Sequence, residues 1–374
     1  MIAKKIRVLH CIPGLYGGGA ERQLSYLSLA LGKNGVDVHI VYHVREPGFG
    51  KIPDCKVTFH ELPIYGNHDP LLLLRLVKLI RRVKPDLIQT WLLQMDVLGG
   101  LAALITGTPF VMTERSVAGT YAVPWKEKLR NWVGSRASLI VANSRAGREY
   151  WLPRKRPDLV KVVPNAVPVE EVQRARAVFS EACGIGENTE VLLFGGRYSA
   201  EKNLSTLLDA LFLVLSKKNT AVALLFGAGP LKSELIAKVK SHQMGDRVKI
   251  MDYTQHLWGW MKRANLFVSV SLFEGSPNVV CEAAAARCPL VLSDIPQHRE
   301  LLDDDAASFV SCNSSQEIAD GMLDVLCNPG RAKLRAQSAY AKVSIFSVDS
   351  VVAEYLRLYM CVLDEWQATK TSRR

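Results

Sequence analysis

Leu272-Phe273-Glu274-Gly275-Ser276-Pro277-Asn278-Val279-Val280-Cys281-Glu282 follows the apolar run of residues 264–270. That run reads as a buried strand. Proline suits the first position of a helix, so Pro277 marks where one is expected to begin. Glu274 then falls in the loop, and Glu282 about two turns into the helix. One strand end therefore presents two carboxylates and a run of free helix N-terminal N–H groups. Carboxylates hold sugar and ribose hydroxyls, and free N–H groups hold phosphate. A ligand carrying both is a nucleotide sugar.

Working outward, strand-like runs alternate with helical patterns on both sides, which predicts two α/β domains with parallel sheets. In the first half, strands are expected at 6–12, 38–44, 87–89, 110–113, 139–143 and 161–163. Helices are expected at 21–31 and, with a basic face, at 71–83. Pro164-Asn165-Ala166-Val167 reads as the exit to a linker. In the second half, strands are expected at 191–194, 221–226, 248–251, 266–270, 290–293 and 308–311. Residues 351–366 carry apolar residues at helical spacing. The predicted division is 1–168, 169–345 and a final helix in 346–374. The tail 369–374 is polar and expected to fray.

The chain has 374 residues and a net charge of +11. Residues 1–168 hold 24 Lys and Arg against 12 Asp and Glu, so the whole basic excess lies in the first half. An anionic membrane or a phosphate-bearing lipid fits this better than nucleic acid, because no nucleic-acid motif accompanies the charge. A solvated basic surface is the alternative. No run reaches the roughly 18 apolar residues of a membrane span. A cytoplasmic protein, peripheral on the inner face of the cell membrane, is expected. Eight cysteines form no Cys-x-x-Cys pair and read as reduced, mostly buried thiols.

Several strand ends carry candidate chemistry. Gly14-Leu15-Tyr16-Gly17-Gly18-Gly19-Ala20-Glu21-Arg22 follows the first strand and opens a helix, a setting for close backbone approach to phosphate. A dinucleotide site is disfavoured by the glycine spacing and by His43-Val44-Arg45, which lacks the ribose-binding acid. A tight turn without ligand is the plain alternative. Gly195-Gly196-Arg197-Tyr198-Ser199-Ala200-Glu201-Lys202-Asn203 opens the second half with two cations. Phe226-Gly227-Ala228-Gly229-Pro230-Leu231 lines a cleft or simply turns the chain, and Asp252-Tyr253-Thr254 follows the next strand. Thr113-Glu114-Arg115-Ser116 offers an acid to orient a hydroxyl and a cation for phosphate, or a structural ion pair. Residues 89–96 are a further cleft candidate. Trp125, Leu129, Trp132 and Val133 share a helical face flanked by Lys126, Lys128, Arg130 and Arg136. That face suits a membrane interface or packing on a sheet. Asp303-Asp304-Asp305 reads as a solvated loop rather than a metal site, and His298 as helix surface.

The stretch from Glu274 to Glu282, continued by Cys288-Pro289-Leu290-Val291-Leu292-Ser293-Asp294-Ile295-Pro296 and Arg299-Glu300-Leu301, resembles the Glu-x7-Glu region of retaining GT-B glycosyltransferases of family 4. Gly18-Gly19-Ala20-Glu21-Arg22, Pro164-Asn165-Ala166-Val167 and Gly195–Asn203 resemble other segments of that family. Departures are Ala166 and Cys288 where glycine is usual, and Glu114-Arg115 where many members place a histidine or short polar motif.

The resemblance implies two Rossmann-like domains facing a cleft. The first would hold the acceptor and the second the donor, with the last helix crossing back to the first. It also implies transfer from a nucleoside-diphosphate sugar, UDP by default, with retention and without metal or cofactor. The acceptor would be a lipid-linked sugar or growing surface polysaccharide. Carried over by residue, Arg197 and Lys202 hold the diphosphate, Glu274 the sugar hydroxyls and Glu282 the ribose. Glu114 is a further catalytic candidate. Gly18, Gly19, Tyr253, Gly275, Ser276, Asn278 and Val279 complete the donor site. A nucleotide-sugar epimerase or a non-catalytic binding protein is the competing reading.

Overall fold

The computed structural model describes residues 5–16, 18–45, 57–64, 69, 71–115, 124–179, 185–186 and 188–372. Gly17, Ser116 and residues 373–374 of the expected tail lie outside the described residues. The chain divides into two units, Met1–Ala166 with Val348–Arg374, and Val167–Ser347.

In the first unit the strands are β1 Arg7–Cys11, β2 Gly14–Leu15, β3 Asp37–Tyr42, β4 Val44–Arg45, β5 Val57–Glu61, β6 Leu87–Thr90, β7 Phe110–Glu114, β8 Leu139–Ala142 and β9 Val160–Val162. Seven form one sheet in the order β5-β3-β1-β6-β7-β8-β9, and β2 pairs with β4 apart from it. Every pairing in the large sheet is parallel. Val8, Leu9, Ile88 and Val111 are fully buried, as strands covered on both faces require. The chain winds from β1 out to β5, then returns to β6 on the other side. Its switch point lies between β1 and β6.

Elements outside the sequence expectations include β2, helix Arg145–Trp151, β5 and helix Leu92–Thr106, and the last two have a clear physical reason. Strand β5 sits at the sheet edge with a largely half-exposed pattern, so its apolar signal is weak. Helix Leu92–Thr106 is not among the expected helices, and its first turn overlaps the cleft candidate at 89–96. It is apolar nearly all round, so it lacks the one-sided periodicity of a surface helix. It packs between helices Leu71–Val83 and Pro124–Gly134. The last helix, Val348–Ser372, packs on helix Gly19–Lys33 and covers the sheet, where Tyr359 donates to the Gln89 Oε1 of β6.

The second unit carries β10 Glu190–Gly195, β11 Ala221–Phe226, β12 Val248–Met251, β13 Leu266–Ser269, β14 Leu290–Ser293 and β15 Ser308–Val310. They form one parallel sheet in the order β12-β11-β10-β13-β14-β15. Leu192 and Phe194 enter the apolar layer on one face, Val191 and Leu193 that on the other, the two-residue alternation of a strand. Here the switch point lies between β10 and β13. Open parallel sheets take ligands outside the carboxyl ends of their strands at such a point.

Of the six cysteines among the described residues all are free thiols. Cys11, Cys281 and Cys288 are buried, while Cys327 and Cys361 are exposed. The expectation of mostly buried thiols therefore holds for half of them.

Candidate functional site

The carboxyl ends of β10 and β13 bring together the two segments singled out in the second half. Lys202 follows β10 and Glu274 follows β13, and Lys202 Nζ stands 2.5 Å from Glu274 Oε1. Both side chains keep a little exposure, 15% and 9%. Ser271 Oγ donates to the same Oε1 at 2.7 Å. The Leu272 N–H donates to the Glu201 carbonyl at 2.8 Å, tying the two loops together. Asn203 adopts φ 54° before helix Leu204–Lys217. Few residues besides glycine and asparagine tolerate that left-handed conformation, which explains an asparagine after Glu201-Lys202.

Helix Asn278–Ala285 starts one residue after Pro277. Glu282 is its fifth residue, just over one turn in rather than two. The N-terminal N–H groups are also fewer than expected. Asn278 donates to the Ser276 carbonyl, and Val280 and Cys281 to that of Pro277. The N–H of Val279 has no acceptor among the described residues. Glu282 is 3% exposed, and its Oε2 accepts from Trp258 Nε1 at 2.8 Å. Gly275 and Ser276 are half-buried in the loop, Arg197 is exposed after β10, and Tyr253 is 68% exposed after β12.

The glycines of the 226–231 turn have a packing reason. A Cβ on Gly227 would stand 1.9 Å from the Gly196 carbonyl oxygen, and one on Gly229 2.4 Å from that of Tyr198. Tyr198 is buried, and its hydroxyl oxygen stands 2.6 Å from the carbonyl oxygens of both Leu225 and Met251, which share its single proton. This turn therefore braces the loop that carries Arg197 and Lys202.

His298, expected on a helix surface, is fully buried. Its Nδ1 donates to the Ser293 carbonyl at 2.9 Å, and its Nε2 has no partner among the described residues. Burial lowers its pKa. Ser293 Oγ in turn donates to the Ser271 carbonyl at 2.7 Å. Asp303 and Asp304 pair with Lys342 and Arg299 on the surface. No group of three or more metal-binding side chains occurs among the described residues.

In the first unit Gly18 caps helix Gly19–Lys33 in extended backbone. A Cβ on it would stand 2.6 Å from Glu21 Oε2, so the glycine leaves room for a carboxylate that complements the helix dipole. Glu114 is enclosed. Its Oε2 accepts from Arg130 Nη1 at 2.7 Å and from Trp151 Nε1 at 2.9 Å, with 2% exposure. Arg130 Nε also donates to Asp96 Oδ2 at 2.8 Å. Arg130, expected on a surface face, is thus the buried centre of an ion network. Burial pushes the Asp96 carboxyl up to about 6, against the pull of Arg130. Glu114 belongs to that network, an arrangement that favours the structural ion pair of the two expected roles.

The tryptophan helix, Pro124–Gly134, divides its faces. Arg130 and Val133 point into the unit, whereas Trp125 and Trp132 are 61% and 46% exposed. Arg136 lies over the Trp132 ring at 3.8 Å.

At the first switch point, Arg115 donates to Asn165 and, at 3.2 Å, to the Tyr355 hydroxyl. It also lies over the Trp91 ring at 4.6 Å. Trp91 Nε1 donates to His10 Nδ1 at 3.3 Å, leaving the proton of the neutral ring on Nε2. Burial holds the His10 pKa down at about 3.

Comparison with known proteins bears on the family and the fold. Residues 17–171 match the family described as Glycosyltransferase Family 4, and residues 189–328 match Glycosyl transferases group 1. The fold is that of the GT-B glycosyltransferases, and the two matches mark the chain as a glycosyltransferase of that fold. The structure of Anabaena Alr3699/HepE in complex with UDP and glucose aligns with a TM-score of 0.81 at 19% identity, covering 95% of this chain and 100% of that one. Among curated proteins, the chain is 25% identical to the N-acetylgalactosamine-N,N'-diacetylbacillosaminyl-diphospho-undecaprenol 4-alpha-N-acetylgalactosaminyltransferase of Campylobacter jejuni. That match covers 89% of this chain and 95% of the relative. It is 26% identical to the putative glycosyltransferase EpsF of Bacillus subtilis, over 79% and 80% of the two chains.

Proposed function

We propose that the chain moves a sugar from a nucleoside-diphosphate sugar, UDP-linked by preference, to a hydroxyl of a lipid-linked sugar or growing surface polysaccharide. The observation that carries this reading is the Lys202–Glu274 contact at the β10/β13 switch point. Lys202 and exposed Arg197 hold the diphosphate and offset the charge that grows on it as the glycosidic bond breaks. Glu274 holds sugar hydroxyls, the Val279 N–H and the Gly275-Ser276 loop meet phosphate or sugar, Asn278 lines the same turn, and Glu282 holds the ribose. Tyr253 flanks the base. Transfer proceeds with retention and without metal or cofactor, the leaving phosphate taking the acceptor proton. The first unit receives the acceptor, with Gly18 and Gly19 at the edge of its first helix. Glu114, which accepts from Arg130 and Trp151, is given a structural role in this proposal rather than the catalytic one expected from the sequence.

The lipid-linked acceptor is supported by the diphospho-undecaprenol substrate in the name of the Campylobacter relative. The outward-facing Trp125 and Trp132, with Lys128 and Arg136 exposed on the same helix and turn, suit contact with an anionic membrane face. No helix among the described residues is long and apolar enough to cross a membrane.

The test is kinetic. With chelator present, Glu282→Ala raises KM for the donor, while Arg197→Ala mainly lowers kcat. Unchanged steady-state constants in both variants would remove this site assignment. Thermal-shift screening against UDP-, GDP- and ADP-sugars identifies the donor beforehand, since a ligand that binds only the folded state raises its stability.

A further inference from the structure

The second carboxylate of the donor site has a partner that no motif points to. Glu282 lies in a helix whose neighbours Ala283, Ala284 and Ala285 are fully buried in the apolar layer beneath the sheet. The oxygens of a carboxylate so enclosed need hydrogen-bond partners. One comes from Trp258, whose indole N–H meets Oε2 at 2.8 Å.

Trp258 is itself held in place on both sides. It lies on helix Leu257–Arg263. Its neighbour Leu257 packs over Gly195 at the end of β10, where a Cβ would stand 2.8 Å from Leu257 Cδ2. Gly259 lies against the Arg176 carbonyl, where a Cβ would stand 2.5 Å from the oxygen, and its own carbonyl accepts from the Val178 N–H at 3.2 Å. Helix Leu257–Arg263 also touches helix Asn278–Ala285. The indole is therefore delivered from a segment locked to the strand end that carries Arg197 and Lys202. A glutamate alone has three rotatable side-chain bonds, and a donor of fixed position removes much of that freedom.

Building on the reading of Glu282 as the ribose-binding acid, we propose that Trp258 is its positioning residue. The indole N–H fixes Oε2 and turns the carboxylate toward the ribose hydroxyls of a nucleoside diphosphate. Selectivity for ribonucleotide over 2'-deoxyribonucleotide then depends on Trp258 as well as on Glu282.

The experiment titrates the full chain calorimetrically with UDP and 2'-deoxy-UDP, or with the corresponding GDP or ADP pair where the wild type binds it more tightly. In Trp258→Phe the ribose-to-deoxyribose affinity ratio falls about tenfold, the loss expected for one hydrogen bond to a charged group. Affinity for the deoxynucleotide stays near the wild-type value. Trp258→His, which keeps a ring N–H, restores part of the ratio and serves as the second variant if Trp258→Phe does not fold. Equal weakening of both nucleotides in Trp258→Phe would assign Trp258 a merely structural role and overturn the proposal. So would an unchanged ratio alongside a ratio that collapses in Glu282→Ala. A wild type that fails to discriminate, or a ratio unmoved in Glu282→Ala, would overturn the ribose reading itself and the proposal with it.

Discussion

Two cation–carboxylate groupings stand at or beyond the carboxyl ends of parallel strands, and they differ in closure. In the first unit Arg130 is fully buried between Asp96 and Glu114. In the second, Lys202 meets Glu274 at a sheet's switch point with both partners still partly open to solvent. A closed network has its hydrogen-bonding capacity directed inward and holds elements together. A partly open pair can exchange its partner for a ligand without leaving a charge stranded in an apolar layer. Residue type and strand-end position are shared, so the difference in burial is what the proposed division into a structural network and a ligand-binding pair rests on.

The comparison breaks most readily at Arg130. Arg130→Met leaves two carboxyls buried without their cation, and it is expected to cost about 3–5 kcal/mol. Differential scanning calorimetry should show a large fall in the transition of the first unit. A variant that melts like wild type but loses turnover would make the network a site and erase the distinction. Lys202→Ala should do the reverse. Its kcat is expected to fall about 100- to 1,000-fold, as when a group stabilising developing charge is removed. Its thermal transition should move less than that of Arg130→Met. If the two variants are destabilised alike, the open pair is structural too.

The smallest effect sharpens the comparison through pH. His10 is held neutral in the folded chain with its pKa at about 3, against 6.5 ordinarily. A group whose folded pKa is depressed contributes stability above its unfolded pKa, and that contribution is lost as pH falls. His10 therefore destabilises the fold progressively from pH 6.5 down to about 3. Asp96 acts in the opposite sense, because its raised pKa favours the folded state as pH falls through about 6. Urea midpoints of wild type and His10→Gln, compared across pH 7 to 4, should show a shallower acid decline in the variant. Parallel curves would mean that His10 takes up its proton at the same pH in the folded and unfolded chain.

Much of this was legible in the sequence, and the exceptions have physical reasons. Strands such as Ala221–Phe226 and Leu290–Ser293 announce themselves because burial on both faces makes them continuous apolar runs. Edge strand β5, with Thr58, His60 and Glu61 among its five residues, does not. Helix Leu92–Thr106 hides for the opposite reason, being too evenly apolar to show a face. Glu274, Lys202 and Asn203 stand out because each lies in a short motif directly after an apolar strand, although Lys202 and Glu274 are 72 residues apart. Trp258 lies 24 residues from Glu282, and the partners of Ser293 and His298 are set by strand order, which a linear pattern does not encode. Arg130 was misread because a cation on an amphipathic helix usually faces water, and only the carboxylates from β7 and helix Leu92–Thr106 make its burial affordable.

The last helix has a consequence for how the molecule is born. Chains emerge from the ribosome amino end first, and domains generally fold as they appear. Here the first sheet is completed by residues 348–372, which are translated after the whole of the second unit. Gln89 and Arg115, made early, wait for the hydroxyls of Tyr359 and Tyr355. The unit that leaves the ribosome first is the one finished last, so a chain stalled short of its final helix exposes an unsealed first sheet to the quality-control machinery of the cell.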